Sequence, residues 1–243
     1  MFEKTRHTLT IAVAPQEAGT VNQEPRPGSD GKYEYCTTVT LTPVANTGYV
    51  FVGWGGTNAS DVRQTQSNKW EIHITGDKTI TANFAKLGTE QRTFGVGWNM
   101  VSVPLLPAPD NTPAAVFGDD VSPLWIWWWN PNAQTPSYVQ PATIDPGRGY
   151  WIYLPGEKVI DVTGIVIDRD YEVPLGKAGW HMISTPTVNV YWGYCRFRLG
   201  NTVKTYSEAV NGKWISPNLY RWNPTANAYE DFTEAGVIEP WVG

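Results

Sequence analysis

Hydrophobic and polar positions alternate with a period of two along most of this chain, which predicts strands rather than helices. In the first third, Leu9, Ile11 and Val13 alternate with Thr8, Thr10 and Ala12, and Val39 and Leu41 with Thr38, Thr40 and Thr42. Val50, Val52 and Trp54 then alternate with Tyr49, Phe51 and Gly53, and Trp70, Ile72 and Ile74 with Glu71, His73 and Thr75. Ile80, Ala82 and Phe84 close the series. The pattern predicts about five strands with one buried face, a small open sheet or roll. Gly76-Asp77 reads as a two-residue hairpin turn. Residues 86–92, where the alternation lapses, read as a short linker.

Beyond that linker one stretch occurs twice. Gly97-Trp98-Asn99-Met100-Val101-Ser102-Val103-Pro104 returns as Gly179-Trp180-His181-Met182-Ile183-Ser184-Thr185-Pro186. Each copy is followed by a Trp-Asn-Pro turn, at Trp129–Pro131 and Trp222–Pro224. Trp180 lies 82 residues after Trp98, and Trp222 lies 93 after Trp129, so the second copy carries extra residues, around 191–205. Thr112-Pro113 before Ala114–Phe117 and Gly118 punctuates a short helix, with Thr as cap and Pro in the first turn. Residues 207–212 are its counterpart. Leu124–Trp129 and Leu219–Trp222 read as corresponding strands, and Ile144–Gly149 matches Ile238–Gly243. The first copy continues into a strand at Tyr150–Tyr153 and another at Val159–Val162, whereas the second stops. The chain is therefore expected to end one strand early, with the last module truncated and an edge left unpaired. The expected division is 1–86, 87–165 and 166–243.

Gly19-Thr20-Val21, Tyr35, Val39-Thr40-Leu41-Thr42, Gly48–Trp54 and Ile80-Thr81-Ala82-Asn83-Phe84 occur in the order seen in the bacterial InlB B-type repeat, which residues 1–86 resemble. The resemblance implies a β-grasp-like fold, a place in extracellular or cell-wall proteins, and no catalytic activity. Cys36 stands where that family commonly has glycine, and Gly55 where it has a small polar residue. The Gly-Trp-Asn … Trp-Asn-Pro … Pro-Gly-x-Gly-Tyr-Trp series is similar to tandem modules of bacterial exported proteins. The expected fold class is mostly β: a β-grasp-like repeat followed by two tandem small antiparallel β modules with short helices.

Charge narrows the function classes. The net charge of −5 divides into 0, −4 and −1 over the three segments, so no part is a polybasic surface for nucleic acid or anionic membrane. No apolar run is long enough to span a bilayer, and Met1-Phe2-Glu3-Lys4 lacks the features that open a signal peptide. Two cysteines in different modules make no disulfide framework. Alternation puts Cys195, Phe197 and Leu199 on one face, with Cys195 as a buried small hydrophobe, and Arg196 and Arg198 on the other. Arg196, Arg198 and Lys204 read as a soluble edge. Cys36 falls on the threonine face of its strand.

The boldest chemistry is Leu124-Trp125-Ile126-Trp127-Trp128-Trp129. Trp127 and Trp129 match Tyr220 and Trp222 in the second copy, so the face of Trp125, Trp127 and Trp129 is read as core. Trp128 matches Arg221, which places it near the surface. An exposed indole is a platform for the apolar face of a sugar, so Trp128 and, with it, Trp125 are the candidate carbohydrate-stacking residues; the alternative is packing on a neighbouring module. His7, His73 and His181 have no metal spacing. Asp168-Arg169-Asp170 and Gly118-Asp119-Asp120 lack the spaced ligand loop of a calcium site. Asp145 and Glu239 occupy the same slot before a proline, in separate copies, and read as duplicated turn residues rather than a glycosidase pair. There is no nucleophile elbow. No catalytic residue, metal or cofactor is expected. The sequence points to a non-catalytic, extracellular or cell-surface spacer or adhesion segment, whose partner would be a polysaccharide or another cell-surface protein. A carbohydrate-binding module is the alternative.

Overall fold

The computed structural model describes residues 5–167, 169–186 and 188–243. The fold is mostly β, and the chain divides after Leu87 into two units.

In the first unit the strands are β1 (Arg6–His7), β2 (Leu9–Ala14), β3 (Gly19–Glu24), β4 (Tyr33–Glu34), β5 (Thr37–Ala45), β6 (Tyr49–Gly55), β7 (Arg63–Gln66), β8 (Lys69–Ile74) and β9 (Lys78–Phe94). They form two main sheets, where a small open sheet or roll was expected. One holds β9 with β2 parallel and β6 antiparallel to it. The other is antiparallel, in the order β3-β5-β8-β7. The periodicity was sound at β5 and β8, where Val39, Leu41, Ile72 and Ile74 are fully buried. They meet Leu9 and Ile80 from the other sheet in one core.

Three local readings change. β8 and β9 lie in different sheets, so Gly76-Asp77 is a crossing between sheets and not a hairpin turn. Asp77 Oδ1 accepts from the backbone N–H of Thr8 at 2.8 Å, which ties this crossing to the start of β2. In β6 the register slips between Phe51 and Gly53, a β-bulge. It leaves Val52 exposed and turns Phe51 and Trp54 to the same side, with their rings 5.3 Å apart. Residues 86–92 are not a linker but part of β9, which begins in the first unit and ends in the second. Cys36 sits in the turn before β5 at φ 65°, a left-handed conformation that explains why a related chain would carry glycine there.

In the second unit the elements are β10 (Gly97–Val101), β11 (Leu106–Pro107), α1 (Pro113–Phe117), β12 (Trp125–Asn130), β13 (Ser137–Val139), β14 (Tyr150–Leu154), β15 (Lys158–Ile165), β16 (Val190–Tyr191), β17 (Phe197–Leu199), β18 (Thr202–Lys204), α2 (Tyr206–Asn211), β19 (Leu219–Asn223), β20 (Ala228–Phe232) and β21 (Val237–Ile238). The first copy forms a four-stranded sheet, β10-β14-β12-β13, over a core with Phe117, Ile144, Ile152 and Ile160. Thr112 caps α1, and Thr205 with Glu208 closes a capping box on α2. The extra residues of the second copy become a short 3-10 turn at Trp192–Tyr194 and the β17–β18 hairpin. Leu199, expected beside Cys195 and Phe197 on a buried face, is exposed near the tip of this hairpin.

The second Gly-Trp stretch differs from the first. Residues 179–186 form no strand and make a single bridge, Ile183 to Arg148. β10 owes its strand form to five residue pairs with β14; among the described residues, none of the second copy pairs in this way with 179–186.

The two copies instead exchange backbone hydrogen bonds. Ser102 N–H donates to Trp241 O at 3.0 Å, and its counterpart Ser184 N–H donates to Gly147 O at 2.9 Å. Gly149 N–H donates to Met182 O at 3.1 Å, and its counterpart Gly243 N–H donates to Met100 O at 3.4 Å. The bridge Val101–Val242 likewise mirrors Ile183–Arg148. Each Gly-Trp stretch is thus bonded to the proline turn of the other copy, around a local pseudo-twofold axis. Trp241 also plugs into the first copy's core, its ring 6.1 Å from that of Phe94.

Candidate functional site

β12 carries both candidate residues on opposite faces, because successive side chains of a strand point to opposite sides. The face assignment from the repeat is reversed in the structure. Ile126 is buried in the first copy's core, with Leu124 and Trp128 packed against it. Trp125, Trp127 and Trp129 therefore point to the outer side of the sheet. The repeat misled because a face that stays aromatic in both copies is not thereby a core face; here the outer aromatics pack on one another.

Trp128 is half-buried, and the Arg148 guanidinium lies 4.2 Å from its ring centroid. Arg148 also holds Asp145, with Nη1 2.9 Å from Oδ2. In the second copy the strand supplies the cation instead: Arg221, at the place of Trp128, lies 3.0 Å from Glu239, at the place of Asp145. Each pre-proline carboxylate thus has its own guanidinium, delivered from the turn in one copy and from the strand in the other. The Asp145 turn is braced from below by Tyr150. Its buried hydroxyl accepts from Asp145 N–H at 2.8 Å, and burial pushes its pKa up to about 12. Trp128, Trp129, Asp145, Arg148 and His181 border a shallow cleft of about 250 Å³.

Trp125 belongs to a different surface, the outer face of the four-stranded sheet. Register places Trp98, Tyr153 and Trp125 side by side across β10, β14 and β12. Tyr153 lies 5.4 Å from each neighbouring ring, and Trp98 and Trp125 are 44% and 51% exposed. The next row, Met100, Trp151 and Trp127, is covered from the second copy: Trp222 stacks edge-on against Trp151 at 5.2 Å. The indole N–H of Trp222 donates to Trp98 O at 3.0 Å. Trp128 and Trp125 are therefore not brought together. Sequence reasoning missed Trp98 and Tyr153, although the recurrence of Trp98 as Trp180 was a signal for the first.

Among the described residues no group of three or more His, Cys, Asp or Glu is placed to hold a metal ion, and no helix is long and apolar enough to cross a membrane. Asp168, of the Asp168-Arg169-Asp170 run, and residues 1–4 lie outside the described residues. Cys195 is half-buried, which pushes its thiol pKa up.

Residues 9–88 match the family model of a divergent InlB B-repeat domain. The match covers about a third of the chain, and nearly all of it lies in the first unit. No curated protein and no solved structure matches the chain.

Proposed function

We propose that the chain is a non-catalytic spacer or adhesion segment displayed at a bacterial cell surface, built from one InlB B-type repeat and two Gly-Trp modules. The match over residues 9–88 supports surface display, since repeats of this kind are associated with exported bacterial proteins. The reciprocal bonding of the two copies carries the spacer reading, because it ties the ends of residues 97–243 into one load-sharing unit. Pulling on single molecules tests this. Residues 88–243 should release in one event of about 50 nm. Two smaller events, one per module, would defeat the reading.

A second reading is favoured by the exposed Trp98–Tyr153–Trp125 row, which offers a run of aromatic rings to a polysaccharide. Under it, tryptophan emission should change on titration with soluble cell-wall glycans, and the change should be lost in Trp125→Ala. Trp128→Ala should leave it intact, because the Trp128 ring is already faced by Arg148.

A further inference from the structure

We propose that the first unit is a force-bearing clamp: tension along the chain loads its parallel β2–β9 pair in shear, so the unit holds against pulling from its ends. The proposal rests on the spacer reading, under which tension passes through the chain.

The topology sets the direction of load. β2 stands near the start of the unit, and β9 carries the chain out of it. β1, ahead of β2, is paired over two residues only and adds little. β2 and β9 run parallel, with six residue pairs from Leu9–Lys78 to Ala14–Asn83. Tension therefore draws β2 back along its own axis and β9 forward along the same axis. The strands can part only by sliding, which strains all six pairs at once. The ladder is lengthened at its entry: Lys78 N–H donates to Thr8 O at 2.8 Å, and Thr8 N–H donates to Asp77 Oδ1 at 2.8 Å. On its other side β9 is gripped by β6, antiparallel, from Tyr49–Lys86 to Gly55–Thr81. Leu87 N–H closes that pair with a bond to Gly48 O at 2.8 Å.

A backbone hydrogen bond contributes only about 1 kcal/mol net, so resistance depends on how many are loaded together. Shear loads the ladder as a whole; unzipping takes one pair at a time. Sliding also drags buried side chains, since Leu9, Ile80 and Ala82 lie in the unit's cores, and close packing leaves no room for gradual slip. The same strand offers the contrary geometry. Thr47, exposed in the turn before β6, and Leu87 stand beside one end of the β6–β9 pair, where Tyr49 faces Lys86. Pulling between Thr47 and the chain beyond Leu87 opens that pair from Lys86 inward, residue by residue.

Optical-trap pulling on the whole chain tests the proposal with two pairs of handles, both in a Cys36→Gly, Cys195→Ser background; glycine suits the left-handed backbone at position 36. One pair of handles sits at Met1 and Gly243, the other at Thr47→Cys and Gly243. With the first pair the unit should release in one event of about 25 nm, and with the second in one of about 13 nm. At equal loading rate the first release should need about twice the force of the second, or more, because the bonds share the load. A ratio of one or below overturns the proposal, and so does a release in several small steps with the first pair. The event of about 50 nm from residues 88–243 appears in both records, so failure of the spacer reading shows there and not in the ratio.

Discussion

Gly149 and Gly243 face each other at the centre of the seam between the two copies: a methyl carbon on Gly149 would lie 2.9 Å from Gly243 Cα, and one on Gly243 would lie 2.7 Å from Gly149 Cα. The two residues are counterparts in the repeat, and each donates one of the crossed hydrogen bonds. Glycine is needed here for close approach of backbones. Gly149→Ala should therefore cost about 1–3 kcal/mol, as overpacking does. Gly156→Ala, where an added methyl meets nothing within 4 Å, should change stability by less than about 0.5 kcal/mol. Urea unfolding of both variants checks the contrast.

Trp241 occupies the turn position that glycine holds in the first copy. Its φ is 72°, against 75° for Gly147. A left-handed backbone costs a residue with a side chain about 1–2 kcal/mol, whereas burying an indole contributes about 3 kcal/mol or more. Trp241→Ala keeps the strain and loses the indole; Trp241→Gly loses both. Stability should fall in the order wild type, Trp241→Gly, Trp241→Ala, with about 1 kcal/mol between the two variants. Thermal unfolding gives the order directly, and an Ala variant more stable than the Gly variant would contradict the account.

Ser102 and Ser184 are counterparts with unequal bonding. Ser184 Oγ donates to Val242 O at 2.7 Å, while Ser102 Oγ is buried without a hydrogen-bond partner among the described residues. Ser184→Ala should cost about 1 kcal/mol, and Ser102→Ala should be neutral or stabilising, since it removes an unsatisfied group. The pair is best compared in one denaturant series.

In the first unit, Lys78 Nζ lies 2.8 Å from Asp61 Oδ2, and Asn58 donates to the same oxygen. The Lys78 hydrogen bond is the main cause that holds the Asp61 carboxyl below its ordinary value; desolvation opposes it, and Asn58 and the lysine charge assist. A depressed carboxylate pKa adds stability that is fully present above the unfolded value, about 4, and is lost as the pH falls through the folded one. The Tm gap between wild type and Asp61→Asn should be widest at neutral pH and should close as the pH falls through the lowered folded value. A gap that stays constant from pH 7 to pH 2 would remove the electrostatic explanation.

Much of this was legible along the chain. Val39, Leu41, Ile72 and Ile74 alternate in the sequence and are buried in the structure. Thr112 and Thr205 cap helices because a short hydroxyl beside the first turn satisfies a free N–H wherever the fold places it. Other features were out of reach. The parallel pairing of β2 with β9 joins Leu9 to Lys78, and nothing local in either segment announces the other. The bulge at Val52 shifts a face by one residue, and strict alternation cannot register an inserted residue. Of the candidate site, Trp125 was legible as one exposed aromatic, but its neighbours Trp98 and Tyr153 come from strands 27 and 28 residues away in sequence.

The sequence by itself determined the strand character, the helix caps and the duplication, because each rests on residues that are neighbours or on a pattern that repeats. Only the tertiary structure decided which face of β12 meets a core, that the Gly-Trp stretch of each copy bonds to the turn of the other, and that residues 179–186 stay outside any strand. Those outcomes depend on which distant surface is there to cover a segment. An alternating strand specifies that its two faces differ, and the partner that arrives decides which of them becomes dry.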